Sequence, residues 1–548
     1  MTVRRWLGVL VGLAGLVGLA IALVAYQRSS TAPVTLKRPA PLPQHPKIQV
    51  YTNHNPASEF TDAYRHQTRS GDDLEQILID AIQSARSSVD VAVQELRLPR
   101  LAAALRDRQQ TGVRVRVVLE NSYTRPHSDY TVSELQALPA RERSRIEAGR
   151  QGIDSNQDSD LSPEEISQND ALVILQQAGI PMIDDRADGS KGSALMHHKF
   201  VVIDNRLVIA TSANFTLSDL VGDFSSPESR GNANTLLRID SPQLASHFAQ
   251  EFALLWGDGP GGLPNSRFGS RKPYRPPQSV MVDQTPIDLQ FSPQAAAIPW
   301  NTTSNGLIAK TLETAQTSID LALFVFSDQL LANRLEPLHN RGVQIRALIE
   351  PDFIFRPYSE ALDMLGISLG QNCATELTNQ PWQRPLTTVG VPRLPPGDLL
   401  HHKFAVVDRQ TVIVGSHNWS TAANRSNDEV VLVIHSPIVA AHFQQEFDRL
   451  AAEAQFGSPA RIQQQAWAHQ HCPTPATALR ATPSPSERVD LNTATVAELD
   501  ALPGISPTVA QRIVAQRQRR SFSSLADLDE VPGIGPKTLQ RLHDRVTW

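Results

Sequence analysis

Leu195–Asp204 reads LMHHKFVVID and Leu399–Asp408 reads LLHHKFAVVD, with seven of ten positions identical. The KFVVI and KFAVV runs predict buried strands. Side chains alternate across a strand, so His197 and Lys199 share one face, as do His401 and Lys403. His198 and His402 point the other way. An imidazole beside an ammonium at the mouth of a buried strand suits an anionic substrate. Each copy is followed at equal spacing by S-x-N: Ser212 and Asn214 in TSAN, Ser416 and Asn418 in GSHN. Hydroxyl and amide donors at period 2 complete a phosphate cradle.

The repeat is wider than the decapeptide. SARSSVDVAVQEL (84–96) matches TAQTSIDLALFVF (314–326), and TGVRVRVVLE (111–120) matches RGVQIRALIE (341–350). HFAQEFALLW (247–256) and HFQQEFDRLA (442–451) close the two copies. Strand-like and helix-like stretches alternate in each, which predicts an α/β unit present twice, the pair sharing one cleft.

The 548 residues leave room for three or four domains. A net charge of −5 excludes a chain held to nucleic acid or anionic lipid by overall charge, so any such contact is local. Cys373 and Cys472 are too few for a disulfide framework or a zinc site, and the sequence leaves their pairing open. The uncharged run Trp6–Tyr26 follows Arg4 and Arg5 and is long enough to span a bilayer. It predicts a bacterial-type single-pass anchor with the bulk extracytoplasmic. A signal peptide cleaved near AIA (20–22), leaving a secreted chain, is the competing reading. The expected order is anchor 1–28, linker 29–47, first repeat 48–256, linker 257–286, second repeat 287–455, Pro-rich linker 456–487, and a tail, 488–548.

H-x-K-x4-D followed by S-x-N, twice in one chain, resembles the phospholipase D superfamily over most of 48–455; the second copy has the family's G-S-x-N, while the first has Thr211 where glycine is expected. The resemblance implies two α/β units whose motifs meet at one active site. It implies metal-free phosphodiester chemistry through a phosphohistidine, with no cofactor for catalysis. One of His197 and His401 attacks phosphorus, His197 being the expected nucleophile, and the other protonates the leaving oxygen. Lys199, Lys403, Asn214 and Asn418 stabilise the phosphoryl charge, with Ser212 and Ser416 beside them. Imidazole titrates near neutrality, so the two rings can divide these roles. Asp204 and Asp408 complete the motifs, although alternation puts them on the face opposite their histidines. The copies differ: the second carries Glu429, an acid that commonly orients a catalytic histidine in the family, where the first has Asn234.

Gly112 to His197 spans 26 more positions than Gly342 to His401. The extra stretch, about 132–180, contains DSNQDSDLSPEE (154–165). On a twelve-residue calcium loop, Asp154, Asn156, Asp158, Asp160 and Glu165 take positions 1, 3, 5, 7 and 12, with Ser162 at 9. Ser159 replaces the usual glycine at position 6. The expectation is an EF-hand-like site holding a structural Ca2+, against an acidic loop ending in a capping box.

The tail contains PGIS (503–506) and PGIG (532–535), each between helical patterns, after the leader VDLNTATVAEL (489–499). It resembles a tandem helix-hairpin-helix module of the ComEA type. Carried over, Gly504, Ile505, Gly533, Ile534, Gly535 and Lys537 meet the DNA backbone without sequence preference. Arg512, Arg517, Arg519 and Arg520 add local charge. The combined expectation is a membrane-anchored extracytoplasmic DNA nuclease. A phospholipase D or phosphatidyltransferase acting on phospholipid is the alternative, and a non-catalytic DNA receptor a third.

Overall fold

The computed structural model describes residues 38–470, apart from 190–193, 225, 372–373 and 376–378, together with much of 489–548. Two compact units divide the chain near His469. The anchor expected at 1–28, and both cysteines, lie outside the described residues. Among the described residues no helix is long and apolar enough to cross a membrane.

The larger unit is built on two mixed sheets. In the first, Thr235–Asp240, Leu207–Thr211, Lys199–Ile203, Ser88–Val93 and Arg114–Leu119 lie side by side in that order. Asn427–His435, Thr411–Gly415, Lys403–Val407, Ser318–Leu323 and Gln344–Ile349 repeat the order in the second. Lys199–Ile203 and Lys403–Val407 are buried along their whole length, as near-continuous apolar runs require. Ser88–Val93 and Arg114–Leu119 run parallel, and helix Pro99–Gln110 makes the crossover between them.

The halves exchange backbone. Leu195–Met196, of the first half, pairs in parallel with Asn427–Asp428 of the second, and Ala233 bridges Leu400 in return. His197 N donates to Asp428 O at 3.0 Å, and His401 N donates to Ala233 O at 3.1 Å. Between the halves lies one continuous apolar core. It includes Phe200, Phe248 and Phe252 from one side and Phe404, Phe443 and Phe447 from the other. The last two of each trio come from helices Pro242–Trp256 and Pro437–Ala452, which are the H-F-x-Q-E-F repeats.

Three stretches expected to be linkers are partly built into the fold. Within 257–286, Phe268 is buried in the shared core, Lys272 is buried, and Gln278–Val282 is the edge strand of the second sheet. His45, near the end of 29–47, accepts the N–H groups of Lys47 and Ile48 and so fixes the entry to the first strand. Helix Ala460–Gln470 packs Ile462 and Ala466 on Leu362 and Leu369. Apolar residues spaced among prolines are read as spacers locally, but the partners that bury them are far away in the chain.

In the smaller unit, helices Val496–Asp500 and Pro507–Arg519 join a core of Leu491, Leu499, Ile513, Phe522, Leu528 and Leu542. The leader has a physical explanation. Thr495 and Glu498 form a capping box: the Thr495 hydroxyl accepts from Glu498 N, and Glu498 accepts from Thr495 N at 2.7 Å. Arg517, expected to add local positive charge, donates to the carbonyls of Leu491 and Ala494. The Ile505 and Ile534 side chains are buried in this core and their N–H groups donate to Leu502 O and Val531 O, which corrects their assignment to a DNA-contacting surface. Gly504, Gly533, Gly535 and Lys537 lie outside the described residues.

Candidate active site

The backbone exchange decides which acid meets which histidine. His197 Nδ1 lies 2.7 Å from Glu429 Oε2, and both are buried. His401 Nδ1 lies 3.0 Å from Asn234 Oδ1. Each imidazole is therefore oriented from the opposite half. Both rings line one cavity of about 430 Å3, together with Asn214 and Asn418. With Nδ1 committed on each ring, Nε2 is the nitrogen left for chemistry. Among the described residues neither Asn214 Oδ1 nor Asn418 Oδ1 has a hydrogen-bond partner, although both are buried.

The lysines are locked beneath the histidines. Lys199 Nζ donates to His197 O at 2.9 Å and to Gln94 Oε1 at 3.2 Å. Lys403 Nζ donates to His401 O at 2.7 Å and lies 4.9 Å from the centre of the Phe324 ring. Gln94 and Phe324 occupy equivalent positions in the repeat, so one lysine has an amide neighbour and the other an aromatic face. Burial pulls the Lys199 ammonium down to about 8 and lowers Lys403 as well. Burial, reinforced by both ammonium groups, holds His197 and His401 well below the usual imidazole range. With no anion beside them the rings thus favour their neutral form, and the two ammonium groups favour an incoming anion.

Ser212 and Ser416 stand behind the cleft. Ser212 Oγ donates to Asn234 Oδ1 at 2.7 Å, while Ser416 Oγ accepts from Val430 N at 3.1 Å. They staple the S-x-N turns to the neighbouring strands. Asp204 and Asp408, expected among the catalytic residues, stand away from the cleft. Seven residues at about 3.3 Å each set them at the far end of their strands from His197 and His401. There Asp204 accepts from the N–H groups of Arg86, Ser87 and Ser88, and Asp408 from those of Gln316, Thr317 and Ser318. Both adopt positive φ, 52° and 50°, at the following turn. They tie the turn to the neighbouring strand and touch nothing in the cleft.

The second histidine of each pair faces away, as period 2 requires. His198 Nε2 lies 2.8 Å from Glu251, and His402 Nε2 lies 2.9 Å from Glu446. Each acid belongs to an H-F-x-Q-E-F helix, so this histidine pins the helix to the motif strand.

Residues 78–256 and 308–451, together more than half of the chain, match the family described as cardiolipin synthase, PLD-like domain. The chain belongs to the phospholipase D superfamily. It is a phosphodiesterase of that superfamily by fold and by motif. Residues 484–547 match the helix-hairpin-helix motif. A mitochondrial cardiolipin hydrolase of Xenopus laevis is 31% identical over 188 residues, covering 33% of this chain and 79% of that protein. A phospholipase D of Rickettsia bellii is 27% identical over 140 residues, covering 26% and 60%. The solved phosphatidylserine synthase of Haemophilus influenzae covers 79% of this chain and 93% of its own, at 11% identity and a TM-score of 0.46.

The insertion in the first phospholipase D-like half is part of the cleft. Arg145, Gly149, Gly152 and Ile153 of helix Ala140–Ile153 line the cavity. This helix ends at Asp154, the first position of the acidic loop, and Pro163–Asn169 follows the loop as a helix. Ser159 takes φ 70°, the left-handed conformation that glycine ordinarily supplies there. The loop acids cap their own backbone. Asp154 accepts from Asp158 N and Ser159 N, Asn156 from Asp158 N, and Asp158 from Asp160 N. Glu165 accepts from Ser155 N and Ser162 N. Among the described residues no cluster of three or more His, Cys, Asp or Glu converges as a metal cage.

Three buried acids of the phospholipase D-like cleft, Glu95, Asp170 and Asp219, lie outside the motifs, and Asp219 is the one beside a motif histidine. Asp219 lines the cavity, with Oδ1 3.4 Å from His401 Nδ1. Its signal lies in the repeat itself: seven residues after Ser212 stands an acid, whereas seven after Ser416 stands Ala423.

Proposed function

We propose that the chain hydrolyses phosphodiesters without metal, through a phosphohistidine, and that DNA is its polymer substrate. The observation that carries the chemistry is the pair of imidazoles in one cavity, each with Nδ1 committed to a partner, above two buried lysines. His197 Nε2 attacks phosphorus while its Nδ1–H donates to Glu429, which offsets the charge developing on the ring. The P–O ester bond breaks, and the leaving oxygen takes the Nε2 proton of His401, which the ring acquires as the bound diester anion offsets the two ammonium groups. Water then gives its proton to His401 and attacks phosphorus, breaking the P–N bond and freeing His197. Lys199, Lys403, Asn214 and Asn418 hold the phosphoryl oxygens.

The helix-hairpin-helix match in the same chain supports DNA, since such hairpins offer backbone N–H groups to phosphates. The apolar anchor read at the N-terminus would hold the catalytic unit at the outer face of a membrane. Side-by-side assay of the full chain on DNA and on cardiolipin vesicles is expected to show cleavage of DNA. Removing 488–548 is expected to lower DNA cleavage by about tenfold or more, through lost phosphate contacts. Hydrolysis of bis(4-nitrophenyl) phosphate should stay unchanged. Equal loss on both substrates would overturn the delivery role, and cleavage of cardiolipin alone would overturn the polymer.

The second reading is a phospholipid diesterase. The curated relatives are named for cardiolipin hydrolysis and phospholipase D. The cavity also carries Ile153, Leu195, Leu217, Phe224, Phe324 and Leu399 on its walls, an apolar lining that suits an acyl glycerol.

The acidic loop is proposed to bind a structural Ca2+. The helix–loop–helix form and the left-handed Ser159 support this, and the ion would take over the carboxylates that now cap the loop. Calcium at a hundredfold above its dissociation constant should stabilise the chain by about 2.7 kcal/mol. The rise in melting temperature should vanish in Asp154→Asn/Asp158→Asn, while chelator leaves turnover intact. An unchanged melting temperature in the unaltered chain would refute the site.

A further inference from the structure

We propose that Asp219 is the positioning carboxylate of His401, a relocated counterpart of the Glu429 that serves His197. The inference rests on the diesterase chemistry proposed above and is independent of which polymer or lipid is cut. Asp219 is buried on the short helix Leu217–Leu220, in the half that also supplies Asn234. One of its oxygens lies 3.4 Å from His401 Nδ1. It is held from three sides: Asn214 N donates to Oδ2 at 2.8 Å, and Asn232 Nδ2 and Asn234 Nδ2 donate to Oδ1 at 2.7 and 3.2 Å. Asn234 is thereby oriented. Its nitrogen faces Asp219 and its oxygen faces His401, 3.0 Å away, while Ser212 Oγ also donates to that oxygen.

The two halves have traded positions. The second has its acid on the strand, at Glu429, and Ala423 at the place of Asp219. The first has the amide Asn234 on the strand and its acid at Asp219. Each histidine thus keeps one buried carboxylate from the opposite half. Glu429 meets His197 directly, whereas Asp219 acts on His401 alongside a neutral amide. The titratable groups facing His401 are Lys403, Lys199, His197 and Asp219, with the Phe324 ring 4.9 Å away. The lysines oppose protonation of the ring and Asp219 favours it. Burial pushes the Asp219 carboxyl up, but His401, the Asn232 amide and Asn214 N–H together hold it below its usual range, so the acid stays charged. A general acid flanked by two ammonium groups needs such a charge to carry its proton. Asp219 also fixes Asn214, so one side chain sets both a proton donor and a phosphate donor.

The test uses the full chain and a dialkyl phosphodiester, whose alkoxide leaving group needs a proton to depart, with the His401 imidazole titrated by NMR in the absence of substrate. Asp219→Asn should lower kcat about 10- to 100-fold with little change in KM. The His401 titration, and the basic limb of the kcat profile, should move to lower pH. Asn234→Asp in the same chain should restore the titration and most of the rate, by returning the acid to the strand. Asn234→Asp alone, which keeps Asp219 in place, should move the titration to higher pH. A rate loss with an unmoved His401 titration, or no shift in Asn234→Asp, overturns the proposal and leaves Asp219 as scaffold. Failure of His197→Ala to affect turnover would instead refute the phosphohistidine reading, and the NMR titration still decides the role of Asp219.

Discussion

Replacing His401 with alanine is expected to stop turnover and leave the phosphoryl group on His197. The two histidines share one cavity but hold different partners, and only one can be the nucleophile. Loss of the general acid and base should cost about 10^3-fold or more in steady-state rate. With bis(4-nitrophenyl) phosphate the leaving group departs without a proton, so the first step survives and the second stalls. The expected result is a burst of about one nitrophenol per chain, followed by slow release, with an acid-labile phosphoryl group that maps to His197. His197→Ala should give neither burst nor label. Label on His401, or no covalent species in either variant, would reverse or remove the assigned roles. Glu429→Gln should slow the burst itself, because the ring would form its phosphorylated cation beside a neutral amide.

The largest stability loss is expected at Glu251, outside the cleft. Its side chain is fully buried against His198 at 2.8 Å, Lys272 at 2.6 Å and the guanidinium of Arg275. Lys272 also meets Asp428 at 2.6 Å, and Asp428 O accepts from His197 N. Truncation leaves two cations and an imidazole short of their acid. Glu251→Ala should cost about 3–5 kcal/mol, read as a lowered urea midpoint of the larger unit. Burial pushes the Glu251 carboxyl up, but Lys272 and Arg275 overcome it and hold the group well below the usual range. The contribution is therefore present above the unfolded carboxyl value, near 4.5, and is lost as pH falls through the folded value. Glu251→Gln should remove this part of the acid dependence. A variant as stable as the parent at pH 7, with the same acid midpoint, would contradict the network. The other half holds His402, Glu446 and Arg449 in a smaller version, which should tolerate loss of its acid better.

Much of the site was legible in sequence because its signals are local. A strand has period 2, so the H-x-K spacing by itself selected His197 with Lys199 and His401 with Lys403, and sent His198 and His402 to the other face. The capping box at Ser162 was readable for the same reason, since its partner lies three residues away. Asp204 and Asp408 were misleading. Their invariant spacing within the motif reflects the turn they tie down, not the reaction. Ile505 and Ile534 misled in the same way: a hairpin's fixed apolar residue belongs to its core. Residues 257–286 read as a spacer because Phe268 and Lys272 have no partner nearby in sequence.

The sequence by itself determined that there are two like α/β halves, that each brings one histidine and one lysine to an anionic substrate, and that the halves are unequal at Asn234 and Glu429. Only the tertiary structure decided whose acid serves whose histidine. His197 and Glu429 are 232 residues apart, and His401 and Asn234 are 167 apart. They meet because the residues entering each motif pair with the segment of the other half that carries Glu429 or Asn234, through backbone hydrogen bonds that any residue but proline could make. Such pairing has no side-chain signature, so the crossed partnership, and the place of Asp219 within it, appear only once the two sheets are folded together.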